Sequence, residues 1–178
     1  MQVKATGLIH IYTGDGKGKT TAAAGLGLRA LGHGLKVCYA YFHKQPEKYG
    51  YTEIKNLEKL GAVIYGFAKG HPFCDRSIKA ENLMMEAPEG LSFLKNLIQK
   101  ELFDMLIMDE VIISVRDGYL PEEQLLEFIR NKPENLELVM TGREATLAMV
   151  EMADYVSHIT KIKHPYDRKI FSREGIEY

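Results

Sequence analysis

The stretch TGDGKGKTT, Thr13 to Thr21, brings together residue types that bind polyphosphate. Gly14, Gly16 and Gly18 let backbone N–H groups come close to an anion, and the start of the following helix adds a favourable partial positive charge. Lys19 would reach the terminal phosphates, and the Thr20 hydroxyl would ligate magnesium. The stretch departs from the usual GxxxxGK[ST] spacing, because that pattern puts its first glycine at Thr13, one place before Gly14. It also carries two lysines, Lys17 and Lys19, where one is usual. The spacing describes a phosphate cradle of variant form, with Thr13, Gly14, Asp15, Gly16, Lys17, Gly18, Lys19, Thr20 and Thr21 as candidate nucleotide-binding residues.

A second constellation ends the apolar run FDMLIMDE, Phe103 to Glu110. Two acids closing a buried strand suit a magnesium shell, with the carboxylate of Asp109 or Glu110 acting directly or through water. Together the loop and the acids point to an ATP or GTP site with magnesium.

Both features need a scaffold that delivers them to one place. LIHIYT (Leu8–Thr13) reads as a strand, Lys19–Leu31 as a small-residue helix ended by Gly32 and Gly34, and Lys36–Phe42 as a second strand. A polar helix over Tyr51–Leu60 and the strand AVIYGF follow. Ile78–Lys100 is helical, with Pro88 expected to break it or start a second helix. LPEEQLLEFIRN forms a helix with Pro121 in its first turn, LELVMTG a fifth strand, EATLAMVEMA a helix, and DYVSHITKIKH a last strand entering a basic tail. Strands alternating with helices imply an α/β fold, a mostly parallel sheet with helices on both faces, whose ligands bind at the carboxyl ends of the strands. The glycine-rich loop and the acid pair both fall at such ends. Gly25 and Gly27 inside the first helix each cost about 1 kcal/mol relative to alanine, which close helix-to-sheet packing would offset.

Composition narrows the class. The 178 residues fit a single domain; 46% are hydrophobic and 26% charged, as in ordinary soluble proteins. A formal net charge of −1 argues against a nucleic-acid partner. No apolar run is long enough to span a membrane, and MQVKATGLIHIYTG is too short in apolar residues for a secretory signal. Cys38 and Cys74 read as reduced thiols, which places the protein in the cytoplasm. His71 and Cys74, without a second ligand pair, read as a loop histidine and a thiol rather than a metal site. His33 between glycines reads as a turn residue, and Tyr39, Tyr41 and Phe42 as sheet packing.

TGDGKGKTTAA, RALGHG (Arg29–Gly34), MDE, DGYLP, VMTGR (Val139–Arg143), ADYVS, KHPYD and the terminal GIEY occur here in that order. As an ordered set, running from about residue 7 to 178, they resemble the P-loop type of ATP:corrinoid (cob(I)alamin) adenosyltransferases. The resemblance implies a P-loop NTPase-like, RecA-like fold. It also implies transfer of the 5′-deoxyadenosyl group of ATP to the Co(I) of a reduced corrinoid, with release of triphosphate. On that reading Lys17, Lys19 and the loop amides hold phosphates, while Thr20 with Glu110 or Asp109 holds magnesium. Lys19, Thr20 and Glu110 become the catalytic group. Arg143 is either a nucleotide contact or a surface arginine in a helix-capping turn. Phe73 is the candidate for the corrinoid, since relatives carry bulky aromatics, including a tryptophan, where this chain has His71 and Phe73 and no tryptophan. Family members also tend to have a longer segment before the first strand. A homodimer and a flavoprotein or other electron donor are further implications. The competing readings are a P-loop ATPase or phosphotransferase releasing ADP, and a nucleotide-switched binding module.

Overall fold

The computed structural model describes residues 6–177. Most of the N-terminal MQVKATG and the last residue of GIEY lie outside the described residues. Strands β1 (Ile9–Thr13), β2 (Val37–Phe42), β3 (Val63–Phe67), β4 (Met105–Asp109), β5 (Glu137–Thr141) and β6 (Tyr155–His158) form one sheet in the order β3-β2-β4-β5-β1-β6. Every pairing is parallel, which bears out the α/β expectation.

Period-two alternation sends successive side chains to opposite faces and so builds two cores. Cys38, Ala40 and Phe42 of β2 join one core with Leu83, Ala87, Leu91 and Leu94 of α4 (Ala80–Lys100) and with Leu125 and Ile129 of α6 (Glu122–Arg130). Val37, Tyr39 and Tyr41 join the other with Ala23, Ala24 and Ala30 of α1 (Lys19–Gly32) and with Ile54 and Leu57 of α3 (Thr52–Lys59).

One local expectation changes, and one stretch without an assignment acquires a helix. Helix α4 runs unbroken through Pro88 rather than stopping there. Its buried residues Leu83, Ala87, Leu91, Leu94 and Ile98 keep helical spacing on both sides of the proline, so one apolar face docks as a unit. That packing outweighs the missing backbone hydrogen bond. The β-branched run after β4 forms a short helix, α5 (Val111–Arg116), whose Val111, Ile112 and Ile113 are buried. Burial here overrides weak helix propensity. A one-turn helix, α2 (Pro46–Tyr49), and the helix α7 (Leu147–Met152) complete the α-elements, and a 3₁₀ turn spans Pro165–Arg168.

The strand order matters for function because β5 separates β1 from β4. Two strand spacings come to about 10 Å, so a residue of α1 must lean across the end of β5 to meet Asp109.

The two helix glycines have different reasons. A Cβ on Gly27 would come within 2.9 Å of Ile107 Cδ1, whereas one on Gly25 would meet nothing. Close packing therefore accounts for Gly27 alone. Gly25→Ala should stabilise the protein by about 0.5–1 kcal/mol, and Gly27→Ala should stabilise less or destabilise; urea unfolding of both variants measures the difference.

Candidate nucleotide site

The loop after β1 owes its shape to its neighbours. Gly18 has φ 123°, in the left-handed region that favours glycine, and forms the N-cap of α1. Side-chain methyls on Gly14 or Gly16 would collide with the carbonyl oxygen of Ile159, just beyond β6. The Gly16 N–H donates to that oxygen at 2.8 Å. One of the amides expected to face an anion is thus used to pin the loop to the chain after β6. Asp15 extends the same brace, its Oδ1 accepting the Lys161 N–H at 2.9 Å; this bond holds the Asp15 carboxyl below its ordinary range. Thr13 is buried, and its hydroxyl accepts the Ala145 N–H at 3.2 Å.

Lys19 is buried, and its ammonium donates to the Gly16 carbonyl at 2.7 Å. Burial lowers its proton affinity, opposed by the charge of Glu110. Lys17 is turned outward to the C-terminal tail, with its ammonium 3.0 Å from Glu177 Oε1 and 3.3 Å from the Ile176 carbonyl. Arg173 holds the same carboxylate through its Nε and Nη2, and these bonds bring Glu177 down to about 2.

The acids diverge sharply. Asp109 has no exposed surface. Its Oδ1 accepts the Thr20 hydroxyl at 3.0 Å and the Thr141 hydroxyl at 2.6 Å. Its Oδ2 accepts the Tyr39 hydroxyl at 2.8 Å and lies 2.5 Å from Lys44 Nζ. Burial alone would raise its pKa, but the Lys44 charge and these hydrogen bonds win and hold it below the usual carboxylate value. Glu110 takes a left-handed backbone, φ 65°, and its N–H donates to the Thr141 hydroxyl at 2.9 Å. That turn brings it to the wall of the cavity. Burial, then the neighbouring Asp109 charge, raises its pKa.

The cavity, about 280 Å³, lies at the carboxyl edge of the sheet. Lys17, Lys19, Thr20, Thr21, Lys44, Glu110 and Arg143 line it, joined by Tyr51, Glu53, His164 and Glu177. Arg143 is exposed there, and the cap of α7 comes from Thr146, whose Oγ1 accepts the Met149 N–H. Arg143 thus lies in the turn that leads into the capped start of α7, with its side chain at the cavity wall. A roomier cavity of about 400 Å³ sits at the opposite edge, beside Arg29, His33 and Asp104, far from the loop and the acids.

The sequence reading missed three residues of this centre. Tyr39 reads as packing, yet its hydroxyl serves Asp109; a buried tyrosine hydroxyl needs a partner, and that was the available signal. Thr141 stands at the end of β5 and bridges Asp109 to the Glu110 backbone. Lys44 follows the end of β2 and adds a third lysine, after Lys17 and Lys19, at the carboxyl edge of the sheet.

Beyond Lys44 an imidazole cluster anchors the loop that bears Phe73. The His71 Nε2 lies 2.7 Å from Asp117 Oδ2, and its Nδ1 accepts the Phe73 N–H at 3.1 Å. Phe73 itself is 88% exposed. His43 Nε2 meets the buried Ser114 hydroxyl at 2.7 Å and its ring packs against His71 and Tyr119.

A glycine-rich loop between an inner strand and a helix, on a parallel sheet with acids two strands away, defines a P-loop NTPase-like fold. Residues 5–178 match the family described as ATP:corrinoid adenosyltransferase BtuR/CobO/CobP, and the chain belongs to that family of ATP-using enzymes. It is 31% identical over 172 residues to the corrinoid adenosyltransferase of Escherichia coli K12, covering 97% of this chain and 86% of that one. Identity is also 31% to the corrinoid adenosyltransferase CobA of Salmonella typhimurium, with the same coverage. A Sinorhizobium corrinoid adenosyltransferase is 33% identical over 175 residues, covering 97% and 80% of the two chains. No helix among the described residues is long and apolar enough to cross a membrane.

Burial pushes the His43 pKa down from 6.5 to about 4. Between those values the unfolded chain binds the extra proton, so folding stability rises with pH across that window. Acidification from pH 6.5 to 4 should therefore remove up to about 3 kcal/mol through this residue. Urea unfolding across that range should show a flatter pH dependence for His43→Gln than for the parent protein.

Proposed function

We propose that the protein transfers the 5′-deoxyadenosyl group of ATP to the Co(I) of a reduced corrinoid and releases triphosphate. The observation that carries this reading is the family match across nearly the whole chain, which the cation-lined cavity at the phosphate loop supports. The donor set at Thr20, Asp109 and Glu110 consists of hard oxygens, as Mg²⁺ prefers, and two carboxylates completed by phosphate oxygens make a normal magnesium environment. The metal would neutralise charge on the phosphates; the rest of the work falls to the chain's own groups.

The nucleophile at the ribose 5′ carbon is the cobalt of the corrinoid substrate, so no side chain has to attack. The chain must align the two substrates and stabilise charge that builds on the leaving triphosphate. Lys19, with Arg143 and the remaining loop amides, takes this role, and Lys17 joins once it leaves Glu177. Interactions that strengthen as that charge develops lower the barrier more than they tighten ground-state binding. Phe73, held out from its loop through the His71–Asp117 contact, offers an apolar face to the corrinoid. The cobalt must arrive reduced, so a flavoprotein or other electron donor is the implied partner. A cytoplasmic homodimer completes the reading.

A second reading rests on Glu110. A cavity-facing carboxylate beside the metal donors could orient water for attack on a phosphate, giving ADP. The products separate the two. MgATP with chemically reduced corrinoid should yield triphosphate and a light-sensitive alkylcobalt product, whereas ADP and phosphate without a spectral change would overturn the transferase. Lys19→Ala should lower kcat about a hundredfold or more. In the same assay Phe73→Ala should raise KM for the corrinoid about five- to tenfold and leave KM for ATP within about twofold.

A further inference from the structure

Lys44 is 6% exposed, and a buried ammonium needs a specific partner. Its Nζ lies 2.5 Å from Asp109 Oδ2, 3.4 Å from the Thr20 hydroxyl and 4.8 Å from the centre of the Tyr51 ring. It therefore touches two of the groups assigned above to the divalent cation.

The accounting at Asp109 sharpens the conflict. A carboxylate offers about four lone-pair sites. Thr20, Thr141, Tyr39 and Lys44 already direct four donors at the two oxygens. A metal that enters this coordination sphere must displace one of them. Thr141 and Tyr39 are wholly buried within β5 and β2 and cannot retreat without disturbing the core. Thr20 is itself an oxygen donor to the metal. Lys44 lies just past the end of β2, lines the open cavity, and carries the charge that a dication repels. It is the donor able to leave.

We propose that Lys44 is the internal cation of the metal site: its ammonium balances and aims Asp109, and a divalent cation entering the site displaces it. This rests on the assignment of the metal to Thr20 and Asp109. The displaced ammonium keeps its place in the wall of the phosphate cavity, where a triphosphate can receive it. Metal entry then exchanges one cation for another at Asp109, and the buried carboxylate is never left without a counter-charge.

The test reads metal binding, with no corrinoid present. Mn²⁺ binding to the full chain, without nucleotide, is followed by the loss of the free-ion electron paramagnetic resonance signal. Lys44→Met removes the competing charge at similar length, so Mn²⁺ should bind at least about tenfold more tightly than to the parent. Its thermal midpoint should be lowered without metal and recover with millimolar Mn²⁺. Lys44→Arg keeps the charge and should bind Mn²⁺ like the parent. Equal or weaker Mn²⁺ binding by Lys44→Met would overturn the proposal.

A variant-free measurement covers the case in which Lys44→Met does not fold. In ¹⁵N-lysine-labelled parent protein, the protected ammonium resonance of Lys44 should vanish or shift as Mg²⁺ and ATP saturate the site, with saturation followed by calorimetry. An unchanged resonance at saturation would overturn the exchange. That result would leave adenosyl transfer standing, and failure of adenosyl transfer would leave these measurements readable.

Discussion

A carboxylate with no exposed surface must have its charge balanced inside the protein, and Asp109 receives that balance from four parts of the fold at once. Thr20 comes from the first turn of α1, Tyr39 from β2, Thr141 from the end of β5, and Lys44 from the chain after β2. Each contact ties an element to the carboxyl edge of the sheet. Loss of any one partner would leave a buried polar group without its match, which costs more than the bond contributes when made. The centre therefore works as a joint: it fixes where α1 begins relative to β4 and so where the glycine-rich loop lies relative to Glu110.

The sheet order makes such a joint necessary. With β5 between β1 and β4, the loop and the acids are separated by two strand spacings, and Thr141 stands in the gap. One hydroxyl accepts the Glu110 N–H and donates to Asp109, so the left-handed turn that swings Glu110 into the cavity is braced by the same residue that orients its neighbour. Adjacent acids thereby acquire opposite environments. Asp109, in a ring of donors, is held below the usual carboxylate value, and Glu110, with fewer partners, binds its proton more firmly.

The C-terminal segment belongs to the site as much as the loop does. Ile159 and Lys161 brace Gly16 and Asp15 through backbone hydrogen bonds, and Glu177 occupies the ammonium of Lys17. The second lysine of the variant loop is thus matched by an acid about 160 positions away in the chain. The loop is thus braced by protein through Gly16, Asp15 and Lys17.

The sequence by itself determined the alternation of strands and helices, the glycine-rich loop at the end of β1 and the acids at the end of β4. These are local signals, carried by period-two apolar runs, glycines at a turn and charges closing an apolar strand. The ordered motif set also carried the family. Tertiary structure alone decided the path through Pro88, where docking of one continuous apolar face outweighs a local breaker, and the helix over the β-branched run Val111–Val115, where burial outweighs propensity. It alone brought Tyr39, Thr141 and Lys44 to Asp109. Their roles depend on which strands become neighbours, a long-range choice made by packing the whole sheet, and no spacing within the chain records it.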